Sequence, residues 1–242
     1  MLLAFDVFAY PVRMKKIVSI VLSGIAVLVV AALVVPWVYI NWIRDDPPVR
    51  LSLDTIAVVG TDANSAADPT GVEGEWKVGP DSTVGYRVKE ILLGQDSEGV
   101  GRSNSVTGLL AINGNQVNSA EFSVEVASIQ SDSSRRDGQF KGPIMDAASF
   151  PTAKFTLTAP ITLTAEAIGG APSRVVVTGD LTLRGTTKSV SFPIDARFEN
   201  STIQVVGSIE VLFSDWGIAN PSNTVVTTED KGLLEFLLTF TR

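Results

Sequence analysis

One stretch limits the fold more than any other: from Val175 to Phe198 apolar and polar residues alternate, with a single interruption. Val175, Val177, Gly179, Leu181 and Leu183 alternate with Thr178, Asp180, Thr182 and Arg184. After Gly185-Thr186-Thr187-Lys188 the beat resumes as Val190, Phe192, Ile194, Ala196 and Phe198. A period of two on both arms describes a pleated hairpin with one dry and one wet face. Gly185 supplies the backbone freedom that the bend needs. A lone hairpin is marginal in water, so its apolar face requires further strands to cover it.

Those strands are present. Val84, Tyr86 and Val88 form one period-two run; Val106, Leu110 and Ile112 a second; Ala120, Phe122, Val124 and Val126 a third. Beyond a break at residues 131–151 come Phe155, Leu157, Ile161 and Leu163, then the hairpin, then Ile203 to Phe213, then Leu234 to Phe240. Asn113-Gly114-Asn115 and Glu199-Asn200-Ser201 supply tight-turn chemistry between runs. Short links imply antiparallel neighbours. The expected fold is therefore all-β: a lipocalin-like, up-and-down antiparallel β-barrel of about eight strands, closing last on first. Ser134, with Asp137 three residues on, reads as a capping box that starts a short helical insert near Arg135, over one end of the barrel.

The N-terminal part is of another kind. From Ile17 to Ile40 no charge occurs, and a helix of that length covers about 36 Å against a hydrocarbon core of about 30 Å. Arg13, Lys15 and Lys16 precede the run, and Arg44-Asp45-Asp46 follow it, which keeps the N-terminus cytoplasmic. Trp37, Tyr39 and Trp42 lie at the far end, where amphipathic rings suit the headgroup level. A cleaved signal peptide would have a shorter core and a small-x-small cut site, which Val34-Val35-Pro36-Trp37 does not offer. The expected organisation is a cytoplasmic stub at 1–16, a signal anchor at 17–43, an extracytoplasmic linker at 44–74 and the barrel at 75–242, at the cell membrane with a single pass. Leu51 to Val59, inside the linker, reads as a short strand.

Composition narrows the chemistry. The chain has no cysteine and no histidine, so thiol nucleophiles, a Ser-His-Asp arrangement and most zinc sites are ruled out. Residues 1–43 carry a net +2, which leaves −9 for the remainder; an acidic domain is a poor partner for nucleic acid. No metal-ligand spacing and no glycine-rich phosphate loop is found. Asp215, Glu229, Asp230 and Glu235 are carboxylates near each other only in sequence, so no catalytic residue is assigned and the chain reads as a non-enzyme.

An eight-stranded barrel is either filled by its own side chains or holds one small ligand. The candidate lumen residues are Tyr86, Phe122, Val124, Phe155, Leu157, Val177, Leu181, Leu183, Phe192, Phe213 and Phe236. In-phase Gly108, Gly179 and Gly207 either leave space inside or mark bends; the pattern supports both. Arg135, Arg136, Lys141 and Arg184 are candidates for holding a ligand head group, with a solvated, locally paired loop as the competing reading of Arg135-Arg136-Asp137.

From about Gly74 to Arg242 the chain resembles the YceI-like lipid/polyisoprenoid-binding family. The carrying segments are Trp76-Lys77-Val78 with Ser82 and Val84-Gly85-Tyr86-Arg87-Val88; Ser131 to Asp137; Phe150-Pro151-Thr152-Ala153-Lys154-Phe155; Gly179 to Lys188; and Asp215-Trp216-Gly217-Ile218. The resemblance implies a lipocalin-type barrel that holds an isoprenoid chain in its lumen, with no established catalysis. Many members carry histidines where this chain has Gln139 and Arg184, and at Arg184 a permanent charge replaces one of them. No cofactor is expected beyond a bound isoprenoid lipid or quinone; the expected partners are the membrane and that apolar ligand, with a homodimer left open. The rival reading is an envelope scaffold with a filled barrel and no ligand.

Overall fold

The computed structural model describes residues 12–38, 42, 46–55, 71–199 and 201–242. The chain divides into two compact units, Met1–Asp46 and Pro47–Arg242. In the first, helix α1 covers Val12–Val38. Among the described residues no helix is long and apolar enough to cross a membrane. The end of the uncharged run at 39–40 and residues 56–70 of the expected linker lie outside the described residues, as do residues 1–11 of the expected stub.

The second unit is mostly β. Its elements are β1 (Gly74–Val78), β2 (Thr83–Leu92), β3 (Gln95–Ser103), β4 (Val106–Asn113), β5 (Gln116–Glu125), β6 (Gln130–Ser131), α2 (Ser134–Gln139), β7 (Thr152–Leu157), β8 (Ile161–Thr162), α3 (Ala165–Ile168), β9 (Ser173–Leu183), β10 (Thr186–Glu199), β11 (Thr202–Leu212), β12 (Val226–Thr228) and β13 (Lys231–Thr241). Eight antiparallel strands close a circuit in the order β1-β4-β5-β7-β9-β10-β11-β13, with β13 bonded back to β1.

The hairpin predicted from residue 175 onward is β9–β10, paired without a bulge from Thr186↔Leu183 to Ala196↔Ser173. Its turn is shorter than the sequence reading: Arg184 and Gly185 alone make it, at φ 46° and 74°, and Thr186 already belongs to β10. A two-residue turn with both φ values positive matches the strand twist, and glycine meets that demand at the second position.

Closure differs from a simple meander. β13 pairs with β2 through Leu233–Leu237 and with β1 at Phe240 and Thr241, on the same side. β2 and β1 therefore behave as one strand broken at residues 79–82, and β3 and β4 as its partner broken at residues 104–105. The pair of β1 and β4 enters the barrel, whereas the pair of β2 and β3, edged by β6 and β12, forms an extension beside it. Ser82 bridges the break: its Oγ accepts from Thr239 N at 3.0 Å and faces Thr239 O at 3.3 Å, with no solvent exposure. The run at Val84–Val88, expected in the barrel, belongs to this extension, although Val84, where it begins, still borders the barrel cavity. β3 carries no apolar alternation, because glycines and charged residues fill it, and the sequence reading misses it.

Two local expectations also change. The cap of α2 is Ser133, one residue earlier than expected; its side chain accepts from Arg136 N. Asp137 bonds back to Ser131 N and Oγ at 2.8 and 2.7 Å, tying the helix to β6. The strand read from Leu51 begins instead as a 3-10 turn at Leu53–Thr55 that packs against β11, because its apolar residues do not keep a period of two.

That turn belongs to a strap running from Pro47 across the outer face. Outward-pointing Val206 and Leu237 are cross-strand partners, only 8% and 4% exposed. Also on the outer face, Arg87 is buried between Glu235, at 2.7 Å from Nε, and Glu98, at 2.6 Å from Nη1, and donates through Nη2 to Pro48 O at 2.7 Å. Arg102 donates to Val49 O. Burial opposes the charge on Arg87, but the bonds to Glu235 and Glu98 outweigh it and raise its pKa; in Arg102 burial prevails and lowers it.

Candidate functional site

The inward faces of the barrel strands enclose a cavity of about 170 Å³. Its wall takes in apolar positions of the period-two runs on β4, β5, β7, β9, β10, β11 and β13, together with Val84 at the start of β2. Phe122, Val124, Phe155, Leu157, Val177, Leu181, Phe192 and Phe236, all expected in the lumen, border it. Val72, just before β1, and Ala167 of α3 border it as well; neither lies in a strand run, so no periodicity marked them. Lys154 and Arg197 also touch it, but each sits out of phase between inward residues, Ala153 and Phe155 in one case and Ala196 and Phe198 in the other. Ser173, in phase with Val175 and Val177, is the polar residue of the wall that shares their face.

Aromatic rings form a belt around this space. Phe122 stacks with Phe155 at 6.4 Å and meets Phe240 at 5.6 Å; Phe155 meets Phe192 edge-on at 5.5 Å, and Phe192 meets Phe236 at 5.9 Å. The in-phase glycines explain how the belt leaves the centre open. A Cβ on Gly108 would lie 2.4 Å from Phe122, one on Gly179 2.4 Å from Phe155, and one on Gly207 2.6 Å from Phe236. Each glycine is a shelf on which a neighbouring ring lies along the wall. They hold no empty space of their own, and no bulge of their ladders falls at any of the three.

Three expected lumen residues lie elsewhere. Tyr86 is on the β2 extension, stacked on Phe140 at 4.5 Å, because the break at residues 79–82 takes β2 out of the circuit. Its phenol is raised to about 12 by burial, while Arg136 pulls the other way. Leu183 and Phe213 are buried in the core without bordering the cavity. Leu183 ends at the β9–β10 turn, and Phe213 opens the 3-10 turn Phe213–Trp216, whose Trp216 Nε1 donates to Leu181 O at 3.4 Å. Both rings are buried there.

None of the four head-group candidates borders the cavity. Arg135 is exposed. Arg136 pairs with Asp132, four residues back, and, at 3.2 Å, with Glu90 of β2. Lys141 lies in the π-helical turn Phe140–Ile144. Arg184 donates to Gly217 O at 2.5 Å from the β9–β10 turn, the far end of the hairpin from Ser173 and Phe198. The carboxylates are dispersed as well: Glu235 holds Arg87, Asp215 holds Lys188 at 3.0 Å, and Asp230 accepts from Asn220 at 2.7 Å. The arrangement can shelter an apolar molecule, and the charged residues that touch the cavity, Lys154 and Arg197, hold out-of-phase positions.

Comparison with known proteins agrees with the fold. Residues 76–240 match the YceI-like domain model. No curated protein matches the chain. Among solved structures, a polyisoprenoid binding domain from Saccharophagus degradans implicated in plant cell wall breakdown is 14% identical, with a TM-score of 0.55 over 69% of this chain and 97% of that one. Burkholderia cenocepacia BcnA is 20% identical, with a TM-score of 0.49 over 64% of this chain and 95% of its own. A Campylobacter jejuni YceI protein is 13% identical over 57% and 83% of the two chains, with a TM-score of 0.45. The match over 76–240 spans more than half of the sequence, and with it the chain belongs to the YceI-like domain family.

Proposed function

We propose that this protein is a membrane-tethered, extracytoplasmic lipid-binding module that holds a neutral isoprenoid lipid or quinone in its barrel. The observation that carries the reading is the cavity, whose in-phase wall is apolar apart from Ser173. An isoprenoid chain gains about 0.8 kcal/mol per buried methylene, and burying an ionised head among these apolar side chains would cost far more than a neutral one. The solved domain described as polyisoprenoid binding supports the same ligand class. Nothing in this reading calls for catalysis: the protein binds. The tether rests on the uncharged run Ile17–Ile40 and the basic residues before it, which put the N-terminus in the cytoplasm and the barrel beyond the bilayer.

The test is native mass spectrometry, with solvent extraction, of the protein purified from its own membranes. An isoprenoid mass should accompany the wild type and be lost in Val177→Trp, which fills the lumen. A wild type that is repeatedly empty, or a variant that keeps the same lipid, would refute the reading.

A further inference from the structure

The barrel wall is incomplete at one place, and we infer that the apolar ligand passes there, sideways between β8 and β9 beneath α3, rather than along the barrel axis. This rests on the lumen being the ligand site. β7 pairs with β9 only as far as Leu157↔Gly179, with a last bond from Thr158 N to Thr178 O at 3.1 Å. The chain then turns at Pro160, which has no N–H to donate to a ladder. When it extends again as β8 it bonds only to β5, through Gln116↔Thr162 and Val117↔Ile161. The edge of β9 from Ser173 to Val177 that faces away from β10 therefore has no strand partner among the described residues.

Both banks of this gap belong to the cavity. Leu157, Ile161 and Leu163 border it on one side, and Ser173, Val175 and Val177 on the other. The cover is a single turn of helix: Ala167 of α3 borders the cavity, and Ile168 packs on the core. Thr164 caps the turn, its Oγ1 accepting from Ala167 N at 3.2 Å. Gly169-Gly170 follows, Gly170 at φ 91° with 2.9 Å between its would-be Cβ and Phe198 O, and Pro172 then leads into β9. α3 is held by its cap, the backbone bonds of its own turn and the packing of Ile168, whereas every other join in the circuit is a strand ladder. Lifting it breaks few bonds, and opening a ladder breaks a row of them. A side opening also lets a long chain slide in along its length.

The experiment is stopped-flow fluorescence of N-phenyl-1-naphthylamine, an apolar probe that brightens out of water, with residues 47–242, whose ladder and core are complete in themselves. Thr164→Ala, which removes the cap, should raise both association and dissociation rates several-fold with Kd unchanged. Ala167→Trp should slow association about tenfold or more, whereas Asn113→Trp, on the β4–β5 turn at the axial rim, should leave it unaltered. Circular dichroism confirms that each variant is folded, and Thr164→Ala keeps the test open should the tryptophan at 167 prevent folding. Probe binding with rates unmoved by Thr164→Ala, or slowed by Asn113→Trp alone, would overturn the side route and leave the lumen reading standing. A wild type that does not bind the probe would overturn both.

Discussion

Among single residues, Tyr86 shows most plainly how position overrides pattern. It keeps the beat of Val84 and Val88, yet it faces Phe140 across the β2–β3 extension. Its ring lies over Gly101, where a Cβ would come within 2.4 Å of it. Burial holds its phenol near 12 against an ordinary 10.0, and since the other two tyrosines lie before residue 47, it is the only one in the barrel unit. Ultraviolet titration of residues 47–242 should therefore show a single phenolate transition near 12. Because the folded state holds the proton more tightly, this contribution to stability is complete below the unfolded pKa of about 10 and is lost as pH rises to the folded value. A midpoint near 10 would place the ring in water. The shelf glycines teach the same lesson: at Gly108, Gly179 and Gly207 a missing side chain matters through the ring it accommodates.

At the scale of elements, the outer network joins parts that sequence keeps apart. Glu235 of β13, Arg87 of β2, Glu98 of β3 and the strap carbonyl of Pro48 meet around one guanidinium that is 3% exposed. Such a group is tolerated only while its partners remain, and deleting one leaves a buried charge that costs about 3–5 kcal/mol. Glu235→Ala should lower the urea midpoint of residues 47–242 by a corresponding amount, with Glu235→Gln in between; an unchanged midpoint would mean that the network adds nothing. α2 and its loop were legible as an insert, since Ser133 to Asp137 is cap chemistry wherever it occurs. The role of Arg135, Arg136 and Lys141 was not legible, because cations that bind a head group and cations that pair with neighbouring acids look alike in sequence.

For the whole molecule, the consequence of a hollow barrel is linkage. A ligand that binds only the folded barrel, at one hundred times its Kd, stabilises it by about 2.7 kcal/mol. For a domain of this size that is a rise in Tm of about 5–10 °C, readable by calorimetry with an isoprenoid quinone such as menaquinone-4. The Tm of the filled variant Val177→Trp should not respond. A wild-type Tm that ignores the quinone at saturating concentration would point to a sealed core.

Much of this protein is written locally. Alternation in 175–198 and in the runs around Phe122, Phe155, Val205 and Phe236 determined strands, facing and an antiparallel all-β class, because side-chain direction in a strand depends only on parity along the chain. The lumen wall followed for eight of the eleven residues named for it. What parity cannot carry is where a strand breaks and which neighbour it finds afterwards. The interruptions at 79–82 and 104–105, the strap over β13 and the gap at Pro160 all depend on pairings between distant residues. Only the closed sheet, in which every backbone group must find a partner across space, decides which apolar faces meet around a cavity and which residues, such as Tyr86, Leu183 and Phe213, are placed beyond it.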